Sequence, residues 1–365
     1  MATRPQASQG HTVEDAAPVT ARVPQATLAW LTDGENPAVA ALTGGELLGE
    51  SASADTDALW ARRNEYGPVA RILELMNADG SWAPPTQDYR KYGGSLWQIH
   101  FLGELYASGD DERVQAAAAY AFSRQLPDGS WSCTGGRPAG SIPCLTANVG
   151  RALARLGFAR DERVLAALGY VVGLYHTLGC VDCRGGPAFH LNGYCHMLTP
   201  KELLFLAAVP SDLWPDGAGD LRQACIDALR DKHVFHSLPA EARAYQDAVF
   251  SMPAAEQQAF RERFLAEHEP LTYGPKPGWL RLGYPLSYNS DVLESLYALA
   301  RHGEPRRPEY EEALGVLRSA ADADMRWTLR TTFNGKMLAA VEEKGKPSRW
   351  LTWRALSVLR HFETV

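Results

Sequence analysis

Six cysteines and ten histidines are spread over 365 residues, and the spacing of a few of them is the first chemical signal. Cys144 and Cys195 lie 51 residues apart and Cys133 and Cys183 lie 50 apart, so two neighbouring stretches carry the same pair of thiols. Cys180 and Cys183 also form a C-x-x-C, and Cys195 is followed directly by His196. Thiolate sulfur and imidazole nitrogen are the ligands that zinc gathers into a tetrahedron at about 2.0–2.3 Å. Cys144, Cys180, Cys183, Cys195 and His196 are therefore the candidate zinc ligands. The same thiols also read as a redox-active or disulfide pair, or as small buried hydrophobes. Cys225, in an apolar helical stretch, reads as core.

A second set has acid, base and anion-holding chemistry. Asp291 and Tyr288 stand at the start of an apolar segment, and Lys91 and Tyr92 stand before an earlier one. Asp291 becomes a working acid or base if burial raises its pKa; the competing reading is a helix cap, which Asp near a helix start commonly supplies. Glu343, Lys344, Lys346 and Arg349, with Arg354 one turn further, read either as a phosphate or carboxylate holder or as a solvated charge run. Trp97, Tyr194, Tyr284, Trp327, Trp350 and Trp353 fall at similar places and suit either the lining of an apolar substrate pocket or plain packing between helices.

What must position these residues is a repeat. Asp-Gly-Ser-Trp occurs at 79–82 and 128–131, and Asp-Glu-Arg-Val at 111–114 and 161–164, offsets of 49 and 50 residues. Between the tetrads, Leu96, Ile99, Leu102 and Leu105 are spaced as one helix face, as are Val149, Ala152, Leu153 and Leu156. Each unit is a helix pair, and the pattern continues to the C-terminus as about a dozen helices without a convincing strand. Such pairs stack as an open solenoid or close into a ring; the ring is preferred because the varied long loops suit one functional rim. Residues 211–283 break the period, and 237–269 reads as an inserted helical hairpin and possible lid.

Composition narrows the function. With 45% hydrophobic residues the chain supports a large core, and 36 basic against 43 acidic residues give a net charge of -7 with no basic stripe. A nucleic-acid partner is disfavoured. No apolar run reaches membrane-span length, and Glu14 and Asp15 fall where a signal peptide needs apolar residues. The expectation is a cytoplasmic protein with a disordered tail over 1–26 and one domain over 27–365.

The recurrent DGSW loop before an apolar helix resembles the repeats of the terpenoid cyclase and protein prenyltransferase superfamily, the prenyltransferase and squalene oxidase repeats. The segments GPVARIL, KYGGSLWQIHFLGEL, CLTANVGRALARLG, YCHMLTPKELLFLAAVP, YPLSYNSDVLESL and SRWLTWRALSVLR look most like a bacterial group of squalene-cyclase-like proteins of unknown activity. The resemblance implies an all-α (α/α)6 toroid around a cavity. It departs from the cyclases in lacking D-x-D-D, since the nearest stretch, Asp322-Ala323-Asp324-Met325, lacks the final acid, so acid-initiated cyclisation does not carry over. Asp182, Cys183 and His196 only partly imitate the zinc set of the protein prenyltransferases, and Cys195-His196 is similar to the zinc pair of the lanthionine synthetase cyclases. The expected function is a cyclase, isomerase, lyase or transferase of specialised metabolism acting on a mostly apolar small molecule, with zinc. The alternative is a non-catalytic toroid that binds a ligand or protein, with zinc only structural.

Overall fold

A computed structural model of the chain describes residues 19–49, 54–134, 141–181, 190, 191, 194–249, 251–268 and 271–363. The protein is predominantly helical. The first helices are α1 (Val19–Arg22), α2 (Gln25–Thr32), α3 (Pro37–Leu42), α4 (Ala54–Ala61) and α5 (Gly67–Glu74). They are followed by α6 (Ser95–Glu104), α7 (Glu112–Ser123), α8 (Pro143–Leu153), α9 (Glu162–Leu178), α10 (Thr199–Leu206) and α11 (Ala218–Asp231). The series ends with α12 (Pro239–Val249), α13 (Ala254–Glu267), α14 (Val292–Arg301), α15 (Glu311–Ser319) and α16 (Arg349–Glu363). Helices α3 and α8 each run on into a π-helical turn, Thr43–Leu48 and Ala154–Phe158. Among the described residues no helix is long and apolar enough to cross a membrane.

Buried and half-exposed helices alternate along the chain. Helices α3, α6, α8, α10, α14 and α16 are buried almost all round, and they pack in the order α6–α8–α10–α14–α16–α3. Helices α7, α9, α11 and α15 each lie against one of them with an amphipathic face. Two glycines set the spacing of the buried set: a Cβ on Gly103 would overlap Ala152 of α8, and one on Gly150 would enter the Phe205 ring of α10. The expected tail ends sooner than residue 26, because α1 already packs on α16 and α2 begins at Gln25; residues 1–18 lie outside the described residues.

The repeated tetrads are two hydrogen-bonding devices. In each DERV the Asp caps the helix that follows: Asp111 accepts from Arg113 N–H and Asp161 from Arg163 N–H, both at 2.9 Å, and the Arg side chain returns to the same carboxylate. In each DGSW the Asp accepts from the Ser amide and hydroxyl, at 3.1 and 2.6 Å for Asp79 and 3.0 and 2.7 Å for Asp128. The Trp then clamps two helices. Its indole N–H donates to a carbonyl ten residues back on the outer helix, Ile72 for Trp82 and Ala121 for Trp131. Its backbone N–H donates to a hydroxyl on the next inner helix, Ser95 or Thr146.

Trp327 is a third copy of this clamp that the sequence pattern hides. Its indole donates to Leu317 O, again ten residues back, at 2.8 Å, and its amide to Thr352 Oγ1 at 3.0 Å. Met325 stands where the other copies have Gly80 and Gly129, and all three have positive φ, +55°, +84° and +88°. The expectation that Trp327 lines a substrate pocket is corrected accordingly: its donor groups are both committed and its side chain is fully buried between α15 and α16.

A Cβ at Gly129 would collide with the Ala166 carbonyl oxygen. Gly129→Ala is therefore expected to cost about 2 kcal/mol or more in denaturant unfolding, whereas Met325→Gly, which relieves left-handed backbone, should cost no more than about 1 kcal/mol. Equal losses would show that the three turns are not equivalent.

Candidate functional site

The sequence candidates gather into three places. At the N-terminal end of α6, Lys91, Tyr92, Trp97 and Tyr288 meet in one aromatic cluster. Trp97 packs edge-on to Tyr92 and Tyr288 at 5.2 and 5.1 Å, and the Lys91 ammonium lies 4.6 Å over the Tyr288 ring. Tyr89 and Phe333 complete the cluster. The Trp97 indole donates to Tyr89 O at 2.9 Å and the residue is fully buried, so it packs rather than lines open space. Burial, reinforced by Cys144 and Tyr89, drives the Tyr288 phenol far up, which keeps it protonated. Lys91, by contrast, is exposed.

Asp291 is not with them. It caps α14, one oxygen accepting from Glu294 N–H and the other from Gly283 N–H, each at 2.8 Å. Burial raises its carboxyl to about 6 against those two bonds. Of the two readings of Asp291, the helix cap describes the geometry, and the acid/base expectation is corrected. Glu343, Lys344 and Lys346 are exposed, and Arg349 forms ion pairs with Asp33 and Glu35, at 2.8 and 2.5 Å, rather than a pocket.

The second place surrounds Cys195 and His196. A pocket of about 310 Å³ is lined by Tyr194, Cys195, His196 and Lys276, with Ala242 and Gln246 of α12 forming one wall. The hairpin that carries this wall has its own small core of Leu238, Tyr245, Val249 and Phe264, and an antiparallel pair of short strands, β1 (His236–Ser237) and β2 (Gly274–Pro275), joins its two ends. The His196 ring packs 4.9 Å from Tyr194 and 5.8 Å from Trp279. Burial, then the nearby Lys276 charge, pushes its imidazole down to about 3, so it is neutral. Burial also lowers the Lys276 ammonium, opposed by Cys195. Lys276 was not legible from sequence, because it lies in a Gly/Pro-rich loop without periodicity.

The described residues do not complete the zinc set. Among the described residues no three His, Cys, Asp or Glu side chains are grouped as a metal needs; Cys183 lies outside the described residues. Burial, then Cys195, pushes the Cys144 thiol up to about 12, the setting of an ordinary buried thiol. Cys180 follows the α9 C-cap Gly179, and its neighbour Val181 accepts a backbone bond from Cys195 at 2.7 Å. Cys144 nevertheless does not join Cys180, Cys195 and His196 in a tetrahedral set.

The third place is the interior, and the sequence reading missed most of it. Glu104 of α6 is 2% exposed and meets three guanidiniums: Arg151 at 2.5 Å, Arg155 at 3.0 Å and Arg354 at 3.5 Å. Arg151 also reaches Glu294 at 3.8 Å, and Glu294 binds the Lys201 ammonium. Burial pushes the Glu104 carboxyl up, but Arg151, Arg155 and Arg354 override it and hold it far below the usual range. Of the expected substrate binders, Tyr284, Trp350 and Arg354 belong here. Tyr284 donates to Glu104 O and stacks on Trp350 at 4.9 Å, while Arg354 lies 4.9 Å over Tyr284. The available signal was a charge inside a helix that is otherwise apolar all round, as with Glu104, Arg151, Lys201 and Glu294.

Glu104→Gln removes the anion that three buried guanidiniums share, and is expected to cost about 3–5 kcal/mol in chemical unfolding. The His196 shift has a definite sign. Its folded pKa lies below the ordinary 6.5, so the unfolded chain takes the proton first and stability falls as pH drops from about 6.5 toward 3; an imidazole NMR titration midpoint above 6 for His196 would contradict this. Metal analysis of the purified chain tests the zinc expectation, which far less than one zinc per chain would remove. A full equivalent that is lost in Cys183→Ser would show that residues 182–189 complete a set.

No protein-family profile matches the chain, and no curated protein matches it significantly. Among solved structures, a protein from Actinoplanes is similar at 17% identity over 84% of this chain and 99% of its own, with a TM-score of 0.33. A type II terpene cyclase from Scytonema, solved in complex with its substrate geranylgeranyl dihydroxybenzoate, is similar at 14% identity over 93% of this chain and 98% of its own, with a TM-score of 0.32.

Proposed function

We propose that the chain is an (α/α)6 toroid of the terpenoid cyclase and prenyltransferase-repeat type, and an enzyme that acts on a mostly apolar small molecule in the pocket beneath α12. The toroid is supported by the alternation of buried and half-exposed helices, by the three equivalent Trp clamps, and by an ion cluster to which α6, α8, α10, α14 and α16 all contribute. The observation that carries the enzyme reading is that Cys195, His196 and Lys276 line one pocket of about 310 Å³ whose walls mix Leu191, Tyr194, Met197 and Ala242 with Ser237, Arg243 and Gln246. A lysine whose ammonium is destabilised by burial gives up its proton more readily than an exposed one. Neutral His196 donates or accepts a hydrogen bond without competing for that proton. The reaction class that fits is a proton-transfer isomerisation or lyase-type step, rather than a cyclisation begun by Asp291, whose two oxygens are both taken up by backbone amides.

The second reading is a non-catalytic ring that binds a ligand or protein. It is favoured by one observation, that the interior is occupied by ion pairs instead of open apolar space.

Untargeted metabolite comparison of cells with and without the gene separates the two. The enzyme reading expects a metabolite difference that the wild-type gene restores and Lys276→Met does not. Full restoration by Lys276→Met would favour the binding reading. In the purified protein, Lys276 should also react with an amine-directed reagent faster than exposed lysines near neutral pH, because more of it is unprotonated.

A further inference from the structure

We infer that the opposite end of the buried helices carries a binding site for a small oxyanion, a carboxylate or phosphate group. The site is a cavity of about 230 Å³ walled by Glu46, Tyr106, Arg155, Tyr297 and Arg301. It lies at the C-terminal ends of the helices: Tyr106 follows α6, Arg155 follows α8, Arg301 ends α14 and Glu46 follows α3. A neighbouring pocket of about 350 Å³ shares Glu46, Tyr297 and Arg301 and adds Arg360 of α16. This end is distinct from the Cys195 pocket, and the inference does not depend on the enzyme reading.

Three observations point to an anion. The first is charge. In the interior cluster four cations, Arg151, Arg155, Lys201 and Arg354, face two carboxylates, Glu104 and Glu294, which leaves two positive charges in excess. Asp291, at about 6, offsets at most one of them. Buried unpaired charge is costly, and the helix C-termini balance it only in part with their carbonyl dipoles. Arg155 belongs both to this cluster and to the cavity wall, so an oxyanion in the cavity reaches the excess directly.

The second is unmet donors. The Nε groups of Arg151 and Arg354, each residue 1% exposed, have no hydrogen-bond partner among the described residues; they stand behind the cavity wall, so they add to the unbalanced charge that Arg155 carries to the cavity instead of touching the ligand themselves. The Arg354 guanidinium lies 4.9 Å over Tyr297, which itself lines the cavity. The third is backbone. The two π-helical turns of the buried helices are the segments that deliver Glu46 and Arg155, and such turns are frequent at functional sites. Tyr106, beneath the Arg155 guanidinium at 4.7 Å, adopts φ +56°, which is uncommon for a tyrosine.

The walls suit the ligand. Arg155 and Arg301 supply charge-assisted donors, and burial holds the Tyr297 phenol protonated as a further one. Glu46, the acid in the wall, is paired with Arg301 at 3.2 Å, and burial raises its carboxyl, so it opposes an anion less than an unpaired carboxylate would.

The test uses the full chain, with inorganic phosphate and acetate each titrated against chloride at equal ionic strength by thermal shift and calorimetry. A saturable rise in Tm with phosphate, acetate or both supports the site, and whichever anion binds tells phosphate from carboxylate. Arg301→Gln, whose side chain is 45% exposed and so tolerant of replacement, should weaken binding on the order of tenfold. Tyr106→Phe serves as the second variant should Arg301→Gln fold poorly, with a smaller loss expected. No anion-specific shift over chloride, or unchanged affinity in a folded Arg301→Gln, overturns the inference.

Discussion

The interior of this protein depends on one carboxylate. Glu104 ends α6 and is the anion around which Arg151, Arg155 and Arg354 converge, so α6, α8 and α16 cannot shift independently without stranding a guanidinium away from water. A buried ion cluster of this kind adds less to net stability than an apolar core of equal volume, because desolvation cancels much of the Coulomb attraction. What it supplies is register. Glu104 and Arg155 are one repeat apart, so the duplicated unit has placed an acid and a base at equivalent positions and let neighbouring copies pair.

Around that interior the Trp clamps set the spacing of outer against inner helices. Each clamp uses the two donors of a single Trp, one to a carbonyl at the end of the outer helix and one to a hydroxyl at the start of the next inner helix. Because both bonds are made in a dry environment, they are directional constraints as well as packing. All three copies keep the Trp, the acceptor hydroxyl and the carbonyl ten residues back, while the glycine of the turn is replaced by Met325 in a left-handed position in the third.

The two ends of the helices differ in chemistry. One has a desolvated lysine, a neutral histidine and a thiol beneath an added helical hairpin. The other has arginines and phenols around a smaller cavity. Between them the ion cluster occupies the interior. The chemistry proposed above uses the first end, where a desolvated amine faces a pocket.

Local and periodic information was legible in the sequence alone. The helices are displayed by periodicity, and the Asp111 and Asp161 caps and the Asp79 and Asp128 turns rest on bonds two residues long inside tetrads that the repeat shows twice. The tertiary structure decided which polar residues share a site. Asp291 had two chemically sound roles, and only the approach of the Gly283 amide across a loop committed both of its oxygens to capping. Cys144 stood in register with Cys195, yet register fixes a position along a helix and not the distance to a ligand set. Glu104, Arg151, Lys201 and Glu294 carry no local motif at all; their meaning comes from long-range pairing in the absence of water, which no spacing along the chain records.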